Sequence, residues 1–416
     1  MEEVTWSKVT HETKESAKTP MESVAVANEK RERRRRSGIF GGLTTHQAYK
    51  GANLKAAMDE NIYLSQRAAG VPVGVPAGAP RGISVVMPVR NEERHLVAAV
   101  GAALAQVESL PESTALEVIL SVGPSEDRTL EIAEKLAAND PRVKVVGNPS
   151  GKTPSALNAG IRAAAYGVIV RVDGHAELPP GYIARAIAVM KHTGAVNVGG
   201  VMAAEGVTSF EKSVAAAMTS PLGVGASRFH TGGEEGSVDT VYLGVFDKAK
   251  LIESGGYDER FIRAQDWELN LRLRERGGVI WFSPDLKVAY RPRSTLRALA
   301  TQYFEYGRWR RVVIRKNHTT LNLRYLAPPI ALIGSLLGVL SGFFYPWAFV
   351  LPLGYLSFLL LATLLLASRT KGFSSQLFLP MVVGTMQMAW GLGFLTSPPS
   401  LVPHGAPPSW EDHPRE

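Results

Sequence analysis

Residues 167–178 read GVIVRVDGHAEL. The first half is a short β-branched run, the pattern of a strand buried on both faces. It then ends on Asp173, Gly174 and His175, residues that a buried strand rarely carries without a reason. Either the stretch is an ordinary turn or it holds something charged, and the flanking sequence decides. Upstream, ISVVMPV (83–89), LEVILSVG (116–123) and VKVVGN (143–148) are strand-like, while ERHLVAAVGAALAQV (93–107), RTLEIAEKLAAN (128–139) and PSALNAGIRAAAY (154–166) have helical spacing. Strand and helix alternate, the order of a mostly parallel, three-layer α/β sheet. Ligands of such sheets bind just outside the carboxyl ends of the strands. Polar residues gather at those ends: Arg90-Asn91-Glu92, Gly123-Pro124-Ser125 and Asp173-Gly174-His175. A carboxylate and an imidazole two residues apart can converge on one divalent cation, magnesium or manganese, and leave positions open for phosphate oxygens.

Composition bounds the rest. The chain has 416 residues, room for two or three domains, and a net charge of +8. It has no cysteine, which excludes disulfides, thiolate metal sites and cysteine nucleophiles. KRERRRR at 30–36 concentrates the positive charge and suits an anionic lipid surface or a solvated tail; no nucleic-acid partner is expected. Residues 1–80 are expected to be a disordered basic region without a signal peptide, closing on a Pro/Gly-rich linker.

Five segments together resemble family 2 glycosyltransferases of the GT-A fold: PVRNEE (88–93), SVGPSEDRT (121–129), GKTPSALNAGI (151–161), VDGHAEL (172–178) and RAQDWELNLRLRERGG (263–278). The branch they are most similar to is the membrane-attached enzymes of exopolysaccharide assembly, including the succinoglycan-synthesis transferases. The resemblance covers about residues 81–292 and implies roles. Pro88 and Glu92 would approach the nucleotide. Lys152 and Asn158 would face the nucleotide-sugar. Asp173 and His175 would take the metal and diphosphate position, and Asp266 the place of the catalytic base. The acidic motif that the family often carries after its second strand is here Val122-Gly123-Pro124-Ser125, so the aspartate expected to read the base edge is missing. Without the family, Asp266 reads as a carboxylate near a helix N-terminus, favoured there by the helix dipole. The apolar spacing of 267–273 also fits a strand, and the Glu- and Arg-rich composition favours a helix. Glu268 is the alternative base. Gly255-Gly256-Tyr257 would position the loop that carries Asp266.

After residue 292 the pattern changes. STLRALATQYFEYGRWRRVVIRKN (294–317) places apolar and aromatic residues on one face and arginines on the other. It is expected to lie in a membrane interface over 293–325, or else to be a surface helix of the catalytic domain. Within it Arg308-Trp309 resembles the Q-x-x-R-W motif of processive synthases, whose arginine meets the diphosphate and whose tryptophan borders the acceptor; Glu305 stands in place of the glutamine. Three apolar segments follow within 326–398, each of spanning length, and 399–416 form a tail. With the catalytic domain cytoplasmic in a multi-pass cell-membrane protein, SRTKG (368–372) falls inside and the tail outside.

These readings converge on an inverting, metal-dependent transfer of sugar from a nucleotide donor, UDP-linked, to a lipid-linked or glycan acceptor, alongside other envelope-glycan assembly proteins. A polyprenyl-phosphate sugar synthase and an inactive nucleotide-binding membrane scaffold are the alternatives.

Overall fold

The structure is a computed structural model that describes residues 82–412, apart from 226, 371 and 408. The basic region and linker expected over 1–80 lie outside the described residues. Eight strands form one sheet: β1 (Gly82–Val89), β2 (Ala115–Val122), β3 (Val143–Gly147), β4 (Val168–Arg171), β5 (Asn197–Ala204), β6 (Gly236–Ser237), β7 (Tyr242–Asp247) and β8 (Ile280–Tyr290). Their order is β3-β2-β1-β4-β7-β5-β8-β6. The first four are parallel, as the alternation predicts. Beyond β4 the sheet is mixed: β7 runs antiparallel to both β4 and β5, β8 parallel to β5, and β6 antiparallel to β8.

Side-chain alternation along β1 and β2 builds a core on each face. Val85, Met87, Val118 and Leu120 pack with Leu96 and Val100 of helix α1 (Leu96–Leu104). Val86 and Ile119 face the other way, with Leu157 and Ile161. Those two leucine and isoleucine side chains belong to α3 (Thr153–Ala163), which follows α2 (Thr129–Asn139). The body is completed by α4 (Tyr182–Thr193), α5 (Ser209–Met218) and α6 (Gln265–Glu275). The segment 263–278 is thus a loop entering a helix.

The helix expected at the membrane interface forms as α7 (Leu296–Lys316), but its apolar face is covered by protein. Leu299 and Tyr303 are buried with Val382, Val383 and Met386 of α10 (Phe373–Thr396); Trp309, Val312 and Val313 are buried with Phe261 and Trp267 of the body. The apolar face of α7 is thus shared between the α/β body and α10, which is itself apolar enough to cross a membrane. At Gly307 and Gly393 the backbones of α7 and α10 approach so closely that a β-carbon at either would lie 2.0 Å from the facing carbonyl oxygen, of Trp390 and Phe304 respectively.

Three helical segments are long and apolar enough to cross a membrane: Leu323–Gly342, which contains α8 (Ala327–Gly342), Pro346–Ala367, which contains α9 (Val350–Ala367), and α10 itself. The first two are 11% buried and α10 is 39% buried. The difference arises because α10 packs along α7 and α5, and hydrogen bonds tie down both of its ends as well. At its start, Ser213 Oγ donates to Ser375 O and Arg369 Nη1 donates to Thr219 O, tying the loop before α10 to the end of α5. Past its end, Arg315 Nη1 donates to Ser397 O, Lys316 Nζ to Pro403 O, and Arg260 to His404 O and Ala406 O. The tail was expected on the side opposite the catalytic domain. In the structure both ends of α10, and the residues that follow it, are hydrogen-bonded to the rest of the protein.

Candidate active site

The carboxyl ends of β1, β2 and β4 share one edge, because Val89 pairs with Val122 and Val86 with Arg171 in parallel register. Glu92 follows β1, and Asp173 and His175 follow β4, so chain direction alone brings them together. Gly174 permits the close approach: a β-carbon there would sit 3.1 Å from Glu92 Cγ and 3.4 Å from Pro88 O. The result is a contact of 2.7 Å between Glu92 Oε1 and His175 Nδ1. The Glu92 carboxylate holds the pKa of His175 above its ordinary value, although burial works against it. With Nδ1 engaged in this way, Nε2 is the ring nitrogen that could bind a cation, the arrangement by which a carboxylate orients a metal-binding histidine.

Asp173 is held by a residue that sequence reasoning passed over. Arg171, the last residue of β4, is 8% exposed. Its Nη2 donates to Asp173 Oδ1 at 3.1 Å, and its Nη1 donates to Asp266 Oδ1. One guanidinium therefore bridges the proposed metal carboxylate and the proposed base. Burial would lower the pKa of Arg171, but Asp266 and Asp173 beside it hold it above its ordinary value. The signal was present: an arginine inside the apolar run VIVRV must find carboxylates if it is buried.

Asp266 occupies the first turn of α6. Ala264, at φ 58°, turns the chain sharply into that helix. Glu268, the alternative base, is buried in a two-point ion pair with Arg272, both contacts at 2.6 Å, and is turned to structure. Arg272 also donates to Gly256 O at 2.8 Å, fixing the loop that leads to Asp266. Asn158, expected to face the nucleotide-sugar, grips the same loop from α3. Its Nδ2 donates to Tyr257 O at 2.8 Å and Glu259 Oε1 at 2.9 Å, and its Oδ1 accepts from Tyr257 N at 2.9 Å. Lys152 is exposed at the N-cap of α3 and makes no ion pair among the described residues. Arg308 is taken up by Glu305 at 3.2 Å. Trp309, expected to border the acceptor, is instead 5% exposed, its ring 6.1 Å from that of Phe261.

A divalent cation fits this donor set in one way. Among the described residues no group of three or more His, Asp or Glu side chains is poised to hold a metal. Asp173 and His175 would supply two ligands, and a donor's phosphates and water would complete the shell, a pattern suited to magnesium or manganese.

Comparison with known proteins bears on the family. The family profile described as "Glycosyl transferase family 2" matches residues 84–253. The succinoglycan biosynthesis protein ExoA of Rhizobium meliloti (strain 1021) is 33% identical over 279 residues, spanning 65% of this chain and 81% of that protein. A dolichyl N-acetyl-alpha-D-glucosaminyl phosphate 3-beta-D-2,3-diacetamido-2,3-dideoxy-beta-D-glucuronosyltransferase of Methanococcus voltae is 26% identical, spanning 59% of this chain and 77% of that protein. Among solved structures, the mannosyltransferase PcManGT from Pyrobaculum calidifontis, in complex with GDP-Man and Mn2+, aligns with a TM-score of 0.46 at 16% identity over 84% of this chain and 96% of that one. The shared sequence, extending over four fifths of ExoA, and the sheet edge described above place the chain in glycosyltransferase family 2, with a mixed α/β sheet of GT-A type.

Proposed function

We propose that the chain transfers a sugar, with inversion, from a nucleoside-diphosphate donor, UDP-linked, to a hydroxyl of a lipid-linked saccharide during exopolysaccharide or envelope-glycan synthesis. The observation that carries this reading is the Asp173–Arg171–Asp266 bridge at the carboxyl edge of the sheet. Asp266 is the base: its free oxygen takes the proton of the acceptor hydroxyl, whose oxygen attacks the anomeric carbon as the bond to the diphosphate breaks on the opposite side. Arg171 fixes the distance between that base and the diphosphate position. Asp173 and His175 would hold a magnesium or manganese ion, which when bound supplies charge neutralisation for the leaving diphosphate. The name of ExoA supports exopolysaccharide synthesis, and that of the Methanococcus enzyme, which includes a dolichyl-linked sugar phosphate, supports a lipid-linked acceptor. A panel of nucleotide sugars offered to the purified chain, with and without manganese, tests the reading. UDP-sugar consumption that needs the metal and is lost in Asp173→Ala is expected; no turnover of any donor would defeat it.

The membrane arrangement belongs to the same proposal. The catalytic body is cytoplasmic, α8 leaves through the membrane, α9 returns, and α10 stays along the body. Were α10 to cross, α7 beside it would carry Arg308, Arg310, Arg311 and Arg315 into hydrocarbon.

A further inference from the structure

A cavity of 410 Å³ opens beside the site, between the loop that precedes α6, the segment that follows β8, and the first turns of α7. Arg263, Arg293 and Arg297 line it, with Gln302, Glu305 and Tyr306. Its charge is out of balance. Among the described residues these three arginines form no ion pair, and the one carboxylate in the lining, Glu305, is engaged by Arg308. Three arginines that line one space, with its single carboxylate already paired, repel one another, and such an arrangement is stabilised by an anion with several oxygens. The cavity is also close to the chemistry. Arg263 lies three residues before Asp266, on the loop that enters α6. Tyr306 adds an exposed aromatic ring to the lining, and Ile262 and Leu296, exposed as well, adjoin Arg263 and Arg297 in sequence. Basic groups with exposed apolar side chains beside them in the chain match a phosphate that carries a hydrocarbon chain.

We infer that this cavity binds the phosphate or diphosphate of the lipid-linked acceptor. The inference rests on the glycosyltransferase reading and names its acceptor subsite. Donor and acceptor anions then occupy separate places: the donor diphosphate at Asp173 and His175, the lipid phosphate at Arg263, Arg293 and Arg297. Asp266 stands in the chain next to the second and is bridged to the first, where an acceptor hydroxyl must meet a donor sugar.

The test uses the full chain in detergent and measures binding of a short-chain polyprenyl diphosphate, inorganic pyrophosphate and UDP, together with association with phosphatidylglycerol vesicles. The variants are R263Q, R293Q and R297Q, singly and combined, with the triple Arg→Lys protein as a charge-retaining control and thermal unfolding as a check on the fold. The wild type should bind the polyprenyl diphosphate more tightly than pyrophosphate. Each Arg→Gln change should weaken that binding by about tenfold, the worth of one charge-assisted contact. UDP affinity should change by less than about threefold, because no donor contact is assigned to these residues. The inference is overturned if the triple Gln variant keeps its polyprenyl diphosphate affinity, if UDP affinity falls with it, if pyrophosphate binds as tightly as the lipid, or if vesicle association falls in equal measure. Failure of the wild type to turn over any nucleotide sugar would defeat the functional reading alone, since polyprenyl diphosphate binding is measured without a donor.

Discussion

Replacing Asp266 by asparagine keeps the shape of the side chain and removes the proton acceptor. Two consequences of different size follow, and the structure separates them. The first is structural. Asp266 pairs with Arg171, whose side chain is 10% exposed, while Asp266 itself is 37% exposed. Breaking a fully buried pair costs about 3–5 kcal/mol. Here solvent screens one partner and Arg171 keeps its contact with Asp173, so a loss of about 1–2 kcal/mol is the better figure. That is a fraction of the roughly 5–15 kcal/mol that holds a typical domain, so the variant stays folded at assay temperature with a midpoint lowered by a few degrees. The second consequence is chemical. Loss of a general base costs about 10²–10⁴ in rate, or about 3–5 kcal/mol of barrier. The expected result is therefore a collapse of kcat with donor affinity nearly unchanged, read by steady-state kinetics beside calorimetric titration with UDP. A variant that turns over within about tenfold of wild type would show that Asp266 is only a partner of Arg171. A parallel fall of kcat and donor affinity would show the same by another route.

Other expectations can be checked separately. Gly393→Val should force α7 and α10 apart and lower stability by about 1–3 kcal/mol in thermal unfolding, whereas Gly334→Val, with nothing within 4 Å of its β-carbon, should not. Burial pulls the pKa of His230 down to about 4 from an ordinary 6.5, and its Nδ1 is buried without a hydrogen-bond partner among the described residues. Since the folded value lies below the unfolded one, the stability this neutral imidazole contributes is present above pH 6.5 and is lost as pH falls toward 4. His230→Phe should flatten the stability–pH curve in that window, and an unchanged slope would contradict the assignment. Because the chain has no cysteine, single cysteines report topology directly. An impermeant maleimide on intact cells should label Tyr345→Cys, between α8 and α9, and spare Ser400→Cys; labelling of Ser400→Cys would mean that the tail lies outside.

The parts of the site that could be read in the sequence are those set by local order. Strand ends follow from where an apolar run stops, so Glu92, Asp173 and His175 could be placed on one edge before any coordinates. Asp266 could be placed at a helix start because composition marked the helix. What was hidden depends on which distant segments meet. Arg171 and Asp266 are 95 residues apart and touch only because α6 returns to the end of β4. Nothing in the alternation of strands predicts that β7 inserts antiparallel between β4 and β5. Periodicity shows that α7 has an apolar face but not that α10 and the α/β body cover it. Trp309 fell to the same ambiguity: a tryptophan beside an arginine is equally suited to an acceptor and to a core. Asn158 lies in a motif that resembles donor-binding segments, yet the side chain is consumed in holding residues 257–259.

The loop that carries Asp266 is held at two points by the chain beyond α10. Trp410 packs so closely on Gly256 that a β-carbon there would lie 2.5 Å from its ring, and Arg162 of α3 sits 5.0 Å from the ring centroid. Arg260 reaches across to the carbonyls of His404 and Ala406. A loop tethered in this way does not swing alone. Any outward excursion that admits an acceptor must unseat Trp410 or drag the far end of α10 with it, and α10 is clamped backbone to backbone against α7. The catalytic loop, the tail and α10 therefore form one mechanical circuit, and through the Arg171 pair with Asp266 and Asp173 that circuit reaches the nucleotide edge.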